Sequence, residues 1–147
     1  MVEQGLVMLI GQGRSNPTVP GVSAPGFMAE VPKDLLSAAR PQAWTWRTIS
    51  VIADYVLAGQ TGWTEWCVQI DSHGYAADVS SDGAALAIQL ARSIDNILRG
   101  GFQGNLPDPD NTYVFGVYRE HSAVDGYNDA NRSYVRSQEY RIIYQQI

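Results

Sequence analysis

The sequence is poor in the residues that chemistry most often needs. Cysteine occurs once, at Cys67, so no internal disulfide and no zinc knuckle can form. Flanked by Trp66 and Val68, that thiol reads as buried and inert. Histidine occurs only at His73 and His121. Charged residues make up 17% of the chain, below the usual ~25%, which suggests surface that partners cover. Ten Lys and Arg face fifteen Asp and Glu, a formal net charge of -5. That balance argues against a nonspecific nucleic-acid binder, which needs clustered cations to displace counterions from phosphates. No run approaches the ~20 apolar residues of a transmembrane helix, so no membrane contact is expected. The opening "MVEQGLVMLIGQG" lacks a basic leader and a small-residue cleavage site, and the expectation is a soluble chain made in a cytoplasm.

What is present is core-forming. Hydrophobic residues are 45% of the 147, with four Trp and eight Tyr, enough for a single domain spanning 1–147. Val2, Leu6, Leu9 and Ile10 recur at helical spacing and predict a short helix ending at Gly11 or Gly13. The Gly-, Pro- and Ser-rich "GQGRSNPTVPGVSAPG" then predicts a long loop over about 11–41, the length at which loops are usually functional or ordered by a partner.

"QAWTWRTISV" (42–51) alternates Trp44, Trp46 and Thr48 with Thr45, Arg47 and Ile49, as a strand does. "WTEWCVQID" (63–71) does the same with Trp66, Val68 and Ile70, so the two predict a hairpin whose arms extend through Tyr55 and Leu57. Ala87, Leu90, Ala91, Ile94, Ile97 and Leu98 form one apolar stripe of a helix of about four turns. Ser80 or Ser81 suits its N-cap, Asp82 its positive dipole end, and Gly100 with Gly101 its termination. "TYVFGVYREH" (112–121) predicts a third strand, "SAVDGYNDANR" (122–132) a polar loop, and "YVRSQEYRIIYQQI" a long closing strand. The order α-β-β-α-β-β implies an α+β domain, a mostly antiparallel sheet with a long helix packed on one face.

Candidate chemistry centres on Asp71, His73 and Asp78, mounted where a strand exits into a turn. A small hydrolase or metal enzyme would use them as base or ligand set. The same junction, however, wants Asp, Ser and Gly for backbone reasons, and no G-x-S-x-G elbow or cysteine-histidine motif accompanies them. "DPDNTY" from Asp108 places Thr112 and Tyr113 where a calcium loop needs a ligand and its turn glycine, and "DGYNDAN" from Asp125 fails at Tyr127. "GQGRSN" at Gly11 follows a helix and lacks the third glycine of a dinucleotide fingerprint. His121, beside Arg119 and Glu120, reads as an edge residue. Trp44, Trp46, Trp63, Trp66, Tyr113 and Tyr118 read as core or subunit interface in preference to a stacking platform. No catalytic, cofactor-binding or metal-binding residue is assigned, and no enzyme activity is expected.

The helix "VEQGLVMLI", the segment reaching "GFMAEVP", the strand after Pro41, the unit "VQIDSHGYAADVSSDGAALAIQLARSIDNIL" and the closing "SQEYRIIYQ" come in an order that resembles the tail-terminator (tail-completion, head-tail joining) proteins of long-tailed bacteriophages. Val68 to Asp71 and Tyr140 to Tyr144 carry the most recognisable pieces. The region 11–41 and "LPDPDNTYVF" depart from the usual pattern. The resemblance implies a virion protein at the neck, a homo-oligomeric ring, hexameric in that family, which caps the tail tube, ends its growth and offers a docking surface to a head-completion or connector protein. A head-completion or stopper role in the same neck is the alternative. Genomic DNA would pass the lumen without specific binding, since an acidic wall repels it. In a ring, exposed strand edges and long loops are covered by neighbours. The expected contacts are the hairpin tip from Tyr55 through Leu57 to Gly62, the loop 13–26, and the loop 122–132 with Asp125 and Tyr127. Arg47, Arg92, Arg99 and Arg136 are candidates for bidentate pairs across such interfaces.

Overall fold

The computed structural model describes residues 2–15, 18–56, 59–77, 82–98, 102–107 and 112–146. In chain order these form α1 (Val2–Gln12), β1 (Gly13–Ser15), β2 (Thr18–Pro20), β3 (Gly26–Met28), β4 (Gln42–Val56) and β5 (Gly59–Tyr75), then α2 (Gly83–Leu98), β6 (Gly104–Asn105), β7 (Thr112–Asn128) and β8 (Ser133–Gln146). Six strands make one curled sheet in the order β3-β4-β5-β8-β7-β6, and β1 pairs with β2 in a separate two-stranded ribbon.

This overturns the expected α+β class and its α-β-β-α-β-β order. The described chain is mostly β, with two helices of 11 and 16 residues, and the sheet is mixed because β3 runs parallel to β4. Two physical causes account for the difference. The segment expected to be one loop over 11–41 contains three short strands: β1 and β2 pair with each other in a local ribbon, and β3 finds its partner β4 farther along the chain, which no local pattern reveals. Glycine is required at one of them: a Cβ on Gly26 would collide with the indole of Trp44, so β3 can lie beside β4 only there. Likewise β7 runs through most of the expected polar loop 122–132, reaching Asn128, because ladder hydrogen bonds to β8 hold the backbone whatever the side chains are.

Cross-strand partners share a face of the sheet, so the register defines two surfaces. On one lie Trp44, Trp66, Val68, Ile70, Tyr140, Ile142, Val114 and Val117, all buried in a single cluster with Val2, Leu6, Leu9 and Ile10 of α1 and Leu90, Ile94, Ile97 and Leu98 of α2. The Trp66 indole N–H is satisfied by Thr48 Oγ1 at 2.9 Å, and Trp46 meets the Trp66 ring edge-on at 6.4 Å. The start of α2 presses directly on β5: a Cβ on Gly74 would strike the Gly83 carbonyl. That close approach lets the strand pass into the helix in a short connection. The caps proposed at Ser80, Ser81, Gly100 and Gly101 lie outside the described residues.

Among the described residues, the opposite face has a cover only at one end. There Val31, Leu36 and Ala43 pack with Phe27, Leu35 and Tyr75. Beyond that cover the strands present Arg47, Glu65, Gln69, Asp71, Ser137, Glu139 and Arg141, a polar open face.

Candidate functional site

The cluster that first suggested chemistry is built into the fold instead of a cleft. His73 is 5% exposed, with Nε2 3.3 Å from Thr45 Oγ1 and Nδ1 3.3 Å from Ser133 Oγ, both hydroxyls themselves buried. Burial lowers its pKa below the ordinary histidine value, and the nearby Asp71 charge offsets this in part. Asp71 accepts a hydrogen bond from Gln69 Nε2 at 2.8 Å, and Asp78 lies outside the described residues. Thus both ring nitrogens of His73 face hydroxyls on β4 and β8, and its imidazole bridges strands. Among the described residues no three His, Cys, Asp or Glu side chains converge as a metal site. His121 sits in the bulge of β7 with φ of 57°, exposed, its Nε2 4.0 Å from Glu139.

What the molecule does present is two open strand edges on opposite sides of the sheet. β4 is paired on its outer side by β3 only across Trp44, Thr45 and Trp46, so its outer edge from 47 to 56 has no described strand partner. β7 is paired on its outer side by β6 only at Tyr113 and Val114, leaving 115–128 likewise open. Large apolar side chains are exposed on these same stretches: Ile49 at 49%, Val51 at 57% and Ile52 at 55% on β4, Tyr118 at 49% and Val124 at 68% on β7. Unpaired backbone groups next to exposed apolar side chains form a template for strand addition by another polypeptide. Near the hairpin end, partly exposed Trp63 stacks on Phe115 at 4.1 Å with Tyr113 edge-on to it at 5.0 Å.

The residues expected to make contacts fall in different places. Arg47 is exposed on the unpaired stretch of β4. The backbone of Tyr55 pairs with Gln60 near the hairpin tip, and Leu57 lies outside the described residues. Asp125 and Arg136, by contrast, are directly opposite one another and already joined within the molecule, Arg136 Nε and Nη2 donating to the two carboxylate oxygens at 2.7 and 2.9 Å. That hydrogen-bonded guanidinium holds the Asp125 carboxyl below its usual pKa. The Tyr127 hydroxyl donates to the Ala76 carbonyl at 3.1 Å. Arg92 is exposed on α2, and Arg99 lies outside the described residues.

No protein family matches the sequence, and no curated protein matches it at a significant level. One solved counterpart is a virion chain. A chain from the virion of the native gene transfer agent particle aligns over 82% of this chain and 78% of its own, with a TM-score of 0.54 at 14% sequence identity. At that identity the likeness speaks for a shared fold. The open edges were hidden from sequence reasoning because an edge is defined by strand order. The adjacent apolar pair Val51 and Ile52 was a local sign, since a half-buried strand would alternate.

Proposed function

We propose that this chain is a structural protein of a phage-like virion, working by self-association into a ring that caps the tail tube, ends its growth and joins tail to head. The observation that carries this is the pair of open edges on opposite sides of one sheet. A contact between the β4 edge of one copy and the β7 edge of the next is heterologous, and head-to-tail contacts of this kind close into rings when the rotation permits. Each copy then covers the apolar side chains and backbone groups that its neighbour leaves bare. The shared fold with a gene transfer agent virion chain and the ordered motifs resembling tail terminators support the same reading. Such a protein needs no turnover and no cofactor.

The test is the mass of the purified chain in solution, with and without tail-tube protein, followed by negative-stain imaging. The expected result is rings, or binding confined to tube ends. A persistent monomer that ignores tube ends yet binds a connector would move the chain to the head side of the neck.

A further inference from the structure

One row of the open sheet face carries a cation at one end and carboxylates at the other. Arg47 of β4 stands opposite Gln69 of β5, Gln69 opposite Glu139 of β8, and Glu139 opposite Glu120 of β7. Both ends of this row lie on open edges. β3 leaves the β4 edge just before Arg47: the Ala29 N–H donates to the Trp46 carbonyl at 2.9 Å, Ala29 has a φ of 67°, and the Glu30 N–H turns back to the Met28 carbonyl. Arg47 is exposed there and makes no ion pair among the described residues. At the other end Glu120 lies 3.0 Å from Arg141, a cation that it shares with Glu65, and it faces the like charge of Glu139. Among the described residues the acidic end is therefore short of positive charge.

The strand directions let these two ends meet in neighbouring copies. β4, β5, β8 and β7 are each antiparallel to the next, so β7 runs opposite to β4. A second copy that sets its β4 beside β7 continues the antiparallel alternation with the same face on the same side. Charge then selects the register. A slip of one residue turns every side chain to the wrong face, so the choices differ by two. Opposite Tyr118, Arg47 would meet a ring over which Arg141 already sits at 5.4 Å. Slipped the other way, it would meet the bulge, where the β7 ladder breaks between Glu120 and Val124 and His121 has a φ of 57°. Without slip, Arg47 stands beside Glu120, while Glu139 is one strand farther in, about 10 Å away and largely screened. The same alignment extends a second row, which runs from Ile52 through Glu65 and Ile143 to Gly116. A Cβ on Gly116 would touch the Tyr118 ring, so exposed Ile52 of the next copy covers exposed Tyr118.

We propose that Arg47 of one copy pairs with Glu120 of the next, an ionic latch that fixes the register between the β4 and β7 edges of a head-to-tail array. This rests on the ring reading above and adds the residues that align its subunits. The test is a charge swap in the full chain, with association measured by sedimentation velocity at low and high salt and folding checked by thermal melting. Arg47→Glu breaks no ion pair among the described residues, and Glu120→Lys leaves Glu65 to Arg141 and puts a cation across from Glu139. Each single change should weaken subunit association by about threefold to tenfold, the double variant should recover most of it, and added salt should erase the difference. Where Glu120→Lys melts early, Glu120→Gln combined with Arg47→Gln replaces it, and the pair should lose no more than either change alone. Rings that form equally well in both single variants would overturn the latch and leave the ring standing. Losses without recovery in the swap, or losses that add in the neutral pair, also overturn it. A wild-type chain that stays monomeric even with tube ends removes the ring itself and the latch with it.

Discussion

His73 is the residue whose burial has the clearest thermodynamic consequence. Its pKa is lowered in the folded protein, chiefly by desolvation, against an ordinary value of 6.5. The unfolded chain therefore binds a proton at this site more readily than the folded one. Stability from the neutral imidazole is complete above about pH 6.5 and declines as pH falls through that value, levelling off only below the lowered folded pKa. Asp71, two residues along the same strand face, softens the effect without reversing it. We expect the denaturant midpoint of the wild type to drop between pH 7.5 and about pH 5, and His73→Gln, which can still bridge Thr45 and Ser133, to flatten the part of that slope due to this group. Equal slopes in the two proteins would show that the imidazole is not held neutral. The pair formed by Asp125 and Arg136 has the same sign in a lower window, since the lowered carboxyl pKa favours folding at higher pH and that share is lost as pH falls through the carboxylate range. Asp125 is 58% exposed, so water screens the pair and its share is small.

Among elements, the helix α2 was legible from its spacing: of the expected stripe, Ala87, Leu90, Ile94, Ile97 and Leu98 are buried and Ala91 is half-buried at its margin. The β4–β5 hairpin was legible too, since the alternation of Trp44 and Trp46, and of Trp66, Val68 and Ile70, matches the buried face. What could not be read was adjacency. The parallel placement of β3 and the identity of the edges depend on contacts far apart in sequence, while the polar end of β7 pairs with β8 as a hairpin whose residues carry no alternating apolar pattern. The α+β expectation failed for that reason. The consequence for assembly is testable on β4 itself. Val51 is 57% exposed and opposite Trp66 on an unpaired edge, where natural monomers often carry lysine to block strand addition. Val51→Lys should leave the melting transition within a few degrees of wild type, because little burial is lost. It should also reduce self-association at least about tenfold, because a lysine is desolvated at the new strand contact. Undiminished rings in this variant would place the subunit contact elsewhere.

For the whole molecule the question is what the open sheet face would meet in the proposed ring. Arg47 and Arg141 are outnumbered there by Glu65, Asp71, Glu120 and Glu139. Arg141 lies 3.0 Å from Glu120 and donates to Glu65 at 3.4 Å, which neutralises part of the acidity. Glu139 stands directly across from Glu120, a like-charge pairing that costs stability in an isolated sheet, with only the distant His121 as its ionic partner among the described residues. Such a cost is tolerable where negative charge has a use, and a wall that DNA must slide past without sticking is one. If this face lines the lumen, assembled wild-type rings should not retain duplex DNA in a gel-shift assay at low salt, where electrostatic attraction is strongest. Glu139→Lys relieves the like-charge pair and places a cation on the same wall, so its rings should be at least as stable and should now hold DNA in a salt-sensitive way. DNA retained by wild-type rings, or ignored equally by both, would mean that the acidic face looks away from the channel and serves a protein partner instead.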